Sequence, residues 1–286
     1  MKQMKIAIAG YSGFIGSNFM KDHPEWEYIP LNRKLLYGEP MDLGKEIREA
    51  TIVVNLAGYP INTRWTAANK RKIYMSRYGV NRNLVAAINS LEKKPEMFIT
   101  ASAIGIYGNE GVHDEKDCSR DRGFLATVIQ QWEEPLGSLD HEVGNAILRF
   151  GVVLGKEAGA MVPFLKSTKF GIAPVMGPGK QILSFIHIRD LTAAMGTIIQ
   201  RRLNGVFNVC APYPADYRKF AEILVRKTGA LFKVRVPVFL LRLALGEAHT
   251  MVTQGQHVIP ARLLMEGYRF RYPDLEEALQ NLLQEP

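Results

Sequence analysis

The run Met4-Lys5-Ile6-Ala7-Ile8-Ala9-Gly10-Tyr11-Ser12-Gly13-Phe14-Ile15-Gly16 constrains this chain more than any other stretch. Ile6, Ala7, Ile8 and Ala9 form the short apolar run that a strand covered on both faces requires. A glycine-punctuated turn follows, and Phe14, Ile15, Phe19 and Met20 then give a broken helical face. In such a unit Gly10 takes backbone angles closed to other residues, Gly13 lets the main chain approach a pyrophosphate, and Gly16 lets the helix pack close to the strand. The unpaired N–H groups at the helix start and the positive end of its dipole favour an anion. The spacing is G-x-x-G-x-x-G, and its place between a strand and a helix reads as a dinucleotide cradle rather than a packing turn.

Tyr28-Ile29-Pro30-Leu31 reads as a second strand, with Asn32-Arg33-Lys34 at its carboxyl end. An acidic residue here would bind the ribose hydroxyls of NAD, whereas arginine accommodates the 2′-phosphate of NADP. Arg33 has no Asp or Glu beside it, and a guanidinium–phosphate contact is worth roughly 1.5–3 kcal/mol, about ten- to a hundredfold in affinity. The expected cofactor is therefore NADP(H). Asp42 is either an adenine contact or a surface carboxylate.

Thr51-Ile52-Val53-Val54-Asn55-Leu56-Ala57-Gly58 is a β run ending in small residues, across which a flat ligand can lie. A helical pattern over 65–90 and the strand Met97-Phe98-Ile99-Thr100-Ala101-Ser102 follow. This alternation predicts an α/β fold with a Rossmann-type doubly wound parallel sheet, its ligand at the strands' carboxyl ends. Residues 108–123 read as a surface loop, 124–139 as a helix, and 145–155 as a further strand and its exit. Glycines and prolines make 156–183 look like a loop-rich excursion. Within it Gly177-Pro178-Gly179-Lys180 is no P-loop, because Pro174 and Gln181 occupy the places of a glycine and a hydroxyl residue. Strands at 184–188 and 206–209 flank a helix, and 220–227 and 275–283 are helical. The expected division is an NADP-binding Rossmann domain of 1–155 with 184–209, and a smaller C-terminal cap domain of 156–183 with 210–286. A small-molecule substrate is expected in the cleft between them.

Composition narrows the classes. A hydrophobic content of 47% with 22% charged residues is that of a soluble globular protein. No apolar run reaches the ~18 residues of a membrane span, and the start of the chain leaves no room for a cleavable signal. The cytoplasm is the expected compartment, with no membrane partner. Basic residues look dispersed despite a net charge of +8, and Asn69-Lys70-Arg71-Lys72 reads as a solvated helix face, so no nucleic-acid partner is expected. Cys118 and Cys210 have no metal-ligand or redox spacing and read as reduced bystanders, and no metal is expected. Oligomeric state is left open.

Several further motifs occur in order: Asn55-Leu56-Ala57-Gly58, Arg64-Trp65-Thr66, Ser76-Arg77, Ser102-Ala103-Ile104-Gly105-Ile106-Tyr107-Gly108, Trp132-Glu133, Leu148-Arg149, Phe185-Ile186-His187-Ile188 and Gly267-Tyr268. With the glycine turn they resemble the extended short-chain dehydrogenase/reductase superfamily, and within it the atypical, nucleoside-diphosphate-sugar epimerase-like proteins of the "epimerase family". The resemblance implies cofactor contacts at Gly10, Gly13, Phe14, Ile15, Gly16, Asn32, Arg33, Leu56, Ala57, Gly58 and Arg77; Arg77 also reads as an ion-pair partner on a helix face. Active members use a Tyr-x-x-x-Lys pair, in which the lysine lowers the phenol's pKa for proton transfer. None of the eleven tyrosines here is followed four residues later by lysine.

Substitutes are few. Ser102 either donates to a substrate carbonyl or serves backbone capping or cofactor packing, and Tyr107 either supplies a phenol or forms a structural turn. His187, among apolar neighbours, reads as a core histidine rather than a base. Arg64 and Trp65 are candidates for the substrate mouth, and Arg149 for a buried pair. The sequence thus points to an NADP(H)-binding oxidoreductase or epimerase-like enzyme on a small carbonyl or sugar-type substrate, lacking the dyad. The rival is a non-catalytic NADP(H)-sensing regulatory protein.

Overall fold

The computed structural model describes residues 4–117 and 121–284, so Cys118 lies outside the described residues. Six strands build the main sheet: β1 (Lys5–Ala9), β2 (Glu27–Leu31), β3 (Ile52–Asn55), β4 (Met97–Ala103), β5 (Gly144–Phe150) and β6 (Gly205–Val209). They lie in the order β2-β1-β3-β4-β5-β6, and every neighbouring pair is parallel. Winding reverses after β2, so the crossovers on either side of β1 diverge and a crevice opens at the carboxyl ends of β1 and β3.

The two-residue period of the strands explains the layers. Ile6, Ile8, Val54, Ile99 and Leu148 point to one face and pack with Phe19, Leu191 and Ile198. Ala7, Ala9, Val53 and Phe98 point to the other, against Leu43, Val80, Leu84 and Ile88. Each larger side chain so enclosed contributes about 1.5–3 kcal/mol, which pins the strand register from both sides. A separate core gathers Leu154, Phe164, Phe185, Phe220, Leu224 and Leu279 on the C-terminal side. The Asp190 carboxylate ties that side to the sheet by accepting from the amides of Arg271 and Tyr272, both at 2.8 Å.

Several elements differ from the sequence reading. The helix expected over 124–139 ends at Glu133 and continues as a 3₁₀ turn from Glu134 to Ser138, because Pro135 brings no N–H. The helical stretch after Trp65 runs as Ala67–Tyr74, a π-turn at Met75–Gly79, and Val80–Asn89. The stretch 108–123, read as a loop, holds a strand, Val112–His113, paired with His257–Val258. The excursion at 156–183 is ordered: it forms the helix Met161–Thr168 and the strand Ile172–Met176, which pairs in parallel with Phe232–Val236. The chain leaves the main sheet at Gly151, where a Cβ would stand 2.8 Å from the Ser184 carbonyl oxygen, and Val152–Leu154 then pairs with Phe185–His187. Asp42 lies in the helix Pro40–Ile47 with its carboxylate 2.8 Å from Lys45 Nζ, the surface alternative. Cys210 is a buried free thiol whose pKa burial pushes up. No helix among the described residues is long and apolar enough to cross a membrane, and they contain no metal-holding group of three or more His, Cys, Asp or Glu.

Candidate functional site

The turn after β1 is set by two contacts that leave no room for side chains. Gly10 has φ +79°, and a Cβ on it would stand 2.7 Å from the Leu56 carbonyl carbon; one on Gly16 would stand 2.3 Å from the Gly10 oxygen. Gly13 closes the turn by donating its N–H to the Gly10 oxygen at 3.0 Å. The helix Phe14–Asp22 that follows has no side-chain cap and no acid in its first turn. Its leading N–H groups and positive dipole end therefore face the crevice unneutralised. Ile15 packs on the core, and the Phe14 ring presses on the chain leaving β5, 2.2 Å from where a Cβ on Gly155 would be.

Asn32 and Arg33 stand at the end of β2. The Asn32 side chain caps the short helix Arg33–Leu36 by accepting from the Leu35 N–H at 3.1 Å. Arg33 is exposed, lies 5.6 Å from the centre of the Tyr37 ring, and has no ion-pair partner among the described residues. Beyond β3, Asn55 accepts from the Ala57 N–H at 3.0 Å and donates to Asn81 at 2.7 Å, and Asn81 reaches the Trp132 carbonyl at 2.8 Å. This buried chain of amides fixes Leu56, Ala57 and Gly58 at the strand end.

Arg77, in the π-turn, aims its guanidinium at that same strand end. Its Nη1 donates to the carbonyl oxygens of Tyr59 at 3.0 Å and Ile73 at 3.2 Å, and a Cβ on Gly58 would lie 3.3 Å from Nη2. No described carboxylate pairs with it, so the ion-pair reading of Arg77 does not hold. Burial lowers its pKa to about 10, which leaves it charged at neutral pH.

The catalytic candidates are placed differently. Ser102 is 2% exposed and its hydroxyl donates to Glu133 at 2.5 Å. Glu133 forms a two-pronged pair with Arg149, at 2.9 Å to Nε and 2.7 Å to Nη2. Arg149 Nη1 donates to the Tyr107 oxygen at 2.8 Å, and the Tyr107 hydroxyl donates to Asn208 at 2.9 Å. Tyr107 is fully enclosed, and burial raises its phenol's pKa despite the nearby guanidinium. Burial opposes the Arg149 charge, but Glu133 outweighs it and raises that pKa. Ser102 and Tyr107 are thus joined in one network that clamps the ends of β4, β5 and β6 to the helix Phe124–Glu133. Both hydroxyls are engaged within that network, and the partly exposed residue at the end of β4 is Ala103, which has no polar side chain.

His187 caps the helix Ile188–Arg201 through Nδ1, which accepts from the Arg189 N–H at 3.1 Å. Trp65 packs on Phe124 with ring centres 5.0 Å apart, while Arg64 remains exposed beside Gly246. Sequence reasoning missed Glu133 as the hub of the network, although it stands in the Trp132-Glu133 motif, and it missed Tyr37 four residues after Arg33.

With this geometry in view, known proteins give a consistent answer. Residues 6–127 match the NAD dependent epimerase/dehydratase family, and residues 236–282 match a domain of unknown function, DUF1731. The chain is 32% identical over 307 residues to the chloroplastic epimerase family protein SDR39U1 homolog of Arabidopsis thaliana, covering 99% of this chain and 87% of that protein. The chain belongs to the epimerase family. Epimerase family protein YfhF of Bacillus subtilis is 31% identical over 298 residues, with 98% of each chain covered. The crystal structure of human epimerase family protein SDR39U1 with NADPH superposes with a TM-score of 0.92 at 26% identity, over 99% of this chain and 100% of that one.

Proposed function

We propose that this epimerase family chain binds NADP(H) across the ends of β1, β2 and β3 and acts as an oxidoreductase or epimerase-like enzyme on a small carbonyl or sugar-type substrate. One observation carries the reading: two guanidinium groups, Arg33 and Arg77, stand near an uncapped helix start, and no described carboxylate pairs with either. For the largely buried Arg77 a charge held away from water without a counter-ion is costly, and a multiply charged ligand relieves that cost, while the exposed Arg33 is free to meet one. Arg33 would meet a ribose 2′-phosphate, with Asn32 setting its helix, and the turn from Gly10 to Gly16 would hold the pyrophosphate. Arg77 would add charge beside Ala57 and Gly58, whose small size leaves the strand end open to a flat ligand. The human relative's complex with NADPH supports the same choice.

NADP(H), when bound, supplies or accepts the hydride. The chain's own part is to hold that ligand and a substrate in line and to limit water. We assign 1–155 with 184–209 to the cofactor domain and 156–183 with 210–286 to the cap over the substrate. The hydroxyls of Ser102 and Tyr107 are committed to the buried network, so in this reading neither side chain carries the accompanying proton.

The absent Tyr-x-x-x-Lys pair and the enclosed Tyr107 favour a second reading, a non-catalytic NADP(H) sensor. Purified protein loaded with NADPH and offered a panel of carbonyl compounds separates the two. An enzyme oxidises NADPH with at least one member, whereas a sensor retains the cofactor without turnover and changes its partner binding between oxidised and reduced forms.

A further inference from the structure

The net charge of this chain is not spread evenly. Residues 158–189 and 223–246 hold nine Lys and Arg and no Asp or Glu, which leaves 27 basic residues against 28 acidic ones in the rest of the chain. The structure brings these two acid-free segments together as the parallel pair Ile172–Met176 and Phe232–Val236, where acids from outside meet three of the nine bases: Glu222 pairs with Lys233, and Glu276 with Arg226 and Lys227.

The same segments carry the most exposed apolar groups. Phe170 is 83% exposed, Leu231 76% and Leu243 74%, with Phe232 and Phe239 also well exposed. Phe170 and Leu231 flank a tight junction in which the Gly171 oxygen accepts from the amides of Leu231 and Phe232. Phe232–Val236 then leads through Pro237 into the helix Val238–Leu245, where Leu241 alone is buried. A helix apolar on nearly every side is normally enclosed; here most of it meets water. Lys166, Lys169 and Arg242 border this face with no ion-pair partner among the described residues, and Arg235 donates to the Gly177 oxygen instead of to an acid.

We propose that this face docks reversibly on an anionic lipid surface, with the exposed apolar side chains entering the acyl boundary and the bases meeting headgroups. This revises the expectation of no membrane partner, since a surface attachment needs no spanning helix. Charge selects the occupant. Lys233 is met by Glu222 at 3.2 Å, but a second copy docked face to face would still bring two sets of the unmatched Lys166, Lys169 and Arg242 together, which disfavours self-association. Exposed apolar side chains bordered by Lys166, Lys169 and Arg242 suit a deformable anionic layer, in which each base near the surface raises affinity about fivefold.

Flotation of the full chain with vesicles containing phosphatidylglycerol, and with phosphatidylcholine vesicles, tests the proposal. The wild type should bind the anionic vesicles at least about tenfold better, and the difference should shrink in high salt. Phe239→Ser with Leu243→Ser, and separately Lys169→Glu with Arg242→Glu, should each lower that binding at least about tenfold while leaving NADPH affinity and melting temperature unchanged. Equal binding to both vesicle types, binding retained in both double variants, or a concentration-dependent dimer that ignores vesicles would overturn it. Because NADPH affinity is read separately, failure here is distinguishable from failure of the proposed function.

Discussion

The two halves of the crevice are built in opposite ways. On the β1–β3 side, amides, small residues and two guanidinium groups face the opening without acids to match them. On the β4–β6 side, Ser102, Glu133, Arg149, Tyr107 and Asn208 satisfy one another below the surface. On the first side the buried charge of Arg77 costs stability until a ligand meets it, while the matched network on the second contributes stability and keeps its hydroxyls engaged. In the proposed reading the first half is the binding site, and the second is a clamp.

The largest break in that comparison is Arg149→Met. It leaves Glu133 buried without its cation at a cost of about 3–5 kcal/mol, so melting temperature should fall by on the order of 10 °C. NADPH affinity of the folded protein should change less than about twofold; a large affinity loss without destabilisation would mean the clamp belongs to the binding site. Arg77→Ala should do the reverse, weakening NADPH about ten- to a hundredfold in calorimetry with little change in melting temperature. The smallest effect sharpens the contrast: Lys70→Ala removes an ion pair with Glu247 whose acid is well exposed, and chemical denaturation should show a loss no larger than about 1 kcal/mol.

What could be read from the sequence follows the same division. The cradle is local: an apolar run, three glycines at fixed spacing and an arginine at the next strand's end determine it within thirty or so residues, and the structure reproduces the turn. The clamp is assembled from distant positions, since the Tyr107 hydroxyl finds its acceptor on Asn208, 101 residues later. A lone Glu133 at a helix end gives no hint of the guanidinium it will meet. The strand Ile172–Met176 was hidden for a related reason: Pro174 and the surrounding glycines signal a loop, and its partner strand lies some sixty residues further on. The helix Val238–Leu245 has no polar side to mark its period, so it too was missed.

The central claim is that the crevice is completed by a nucleotide carrying an extra ribose phosphate. Titration calorimetry of NADPH and NADH into the wild type and Arg33→Ala tests it most directly. The wild type should prefer NADPH by about ten- to a hundredfold, and Arg33→Ala should lose most of that preference while NADH affinity changes less than about threefold. Equal wild-type affinity for the two nucleotides, or an undiminished preference in Arg33→Ala, would contradict the account.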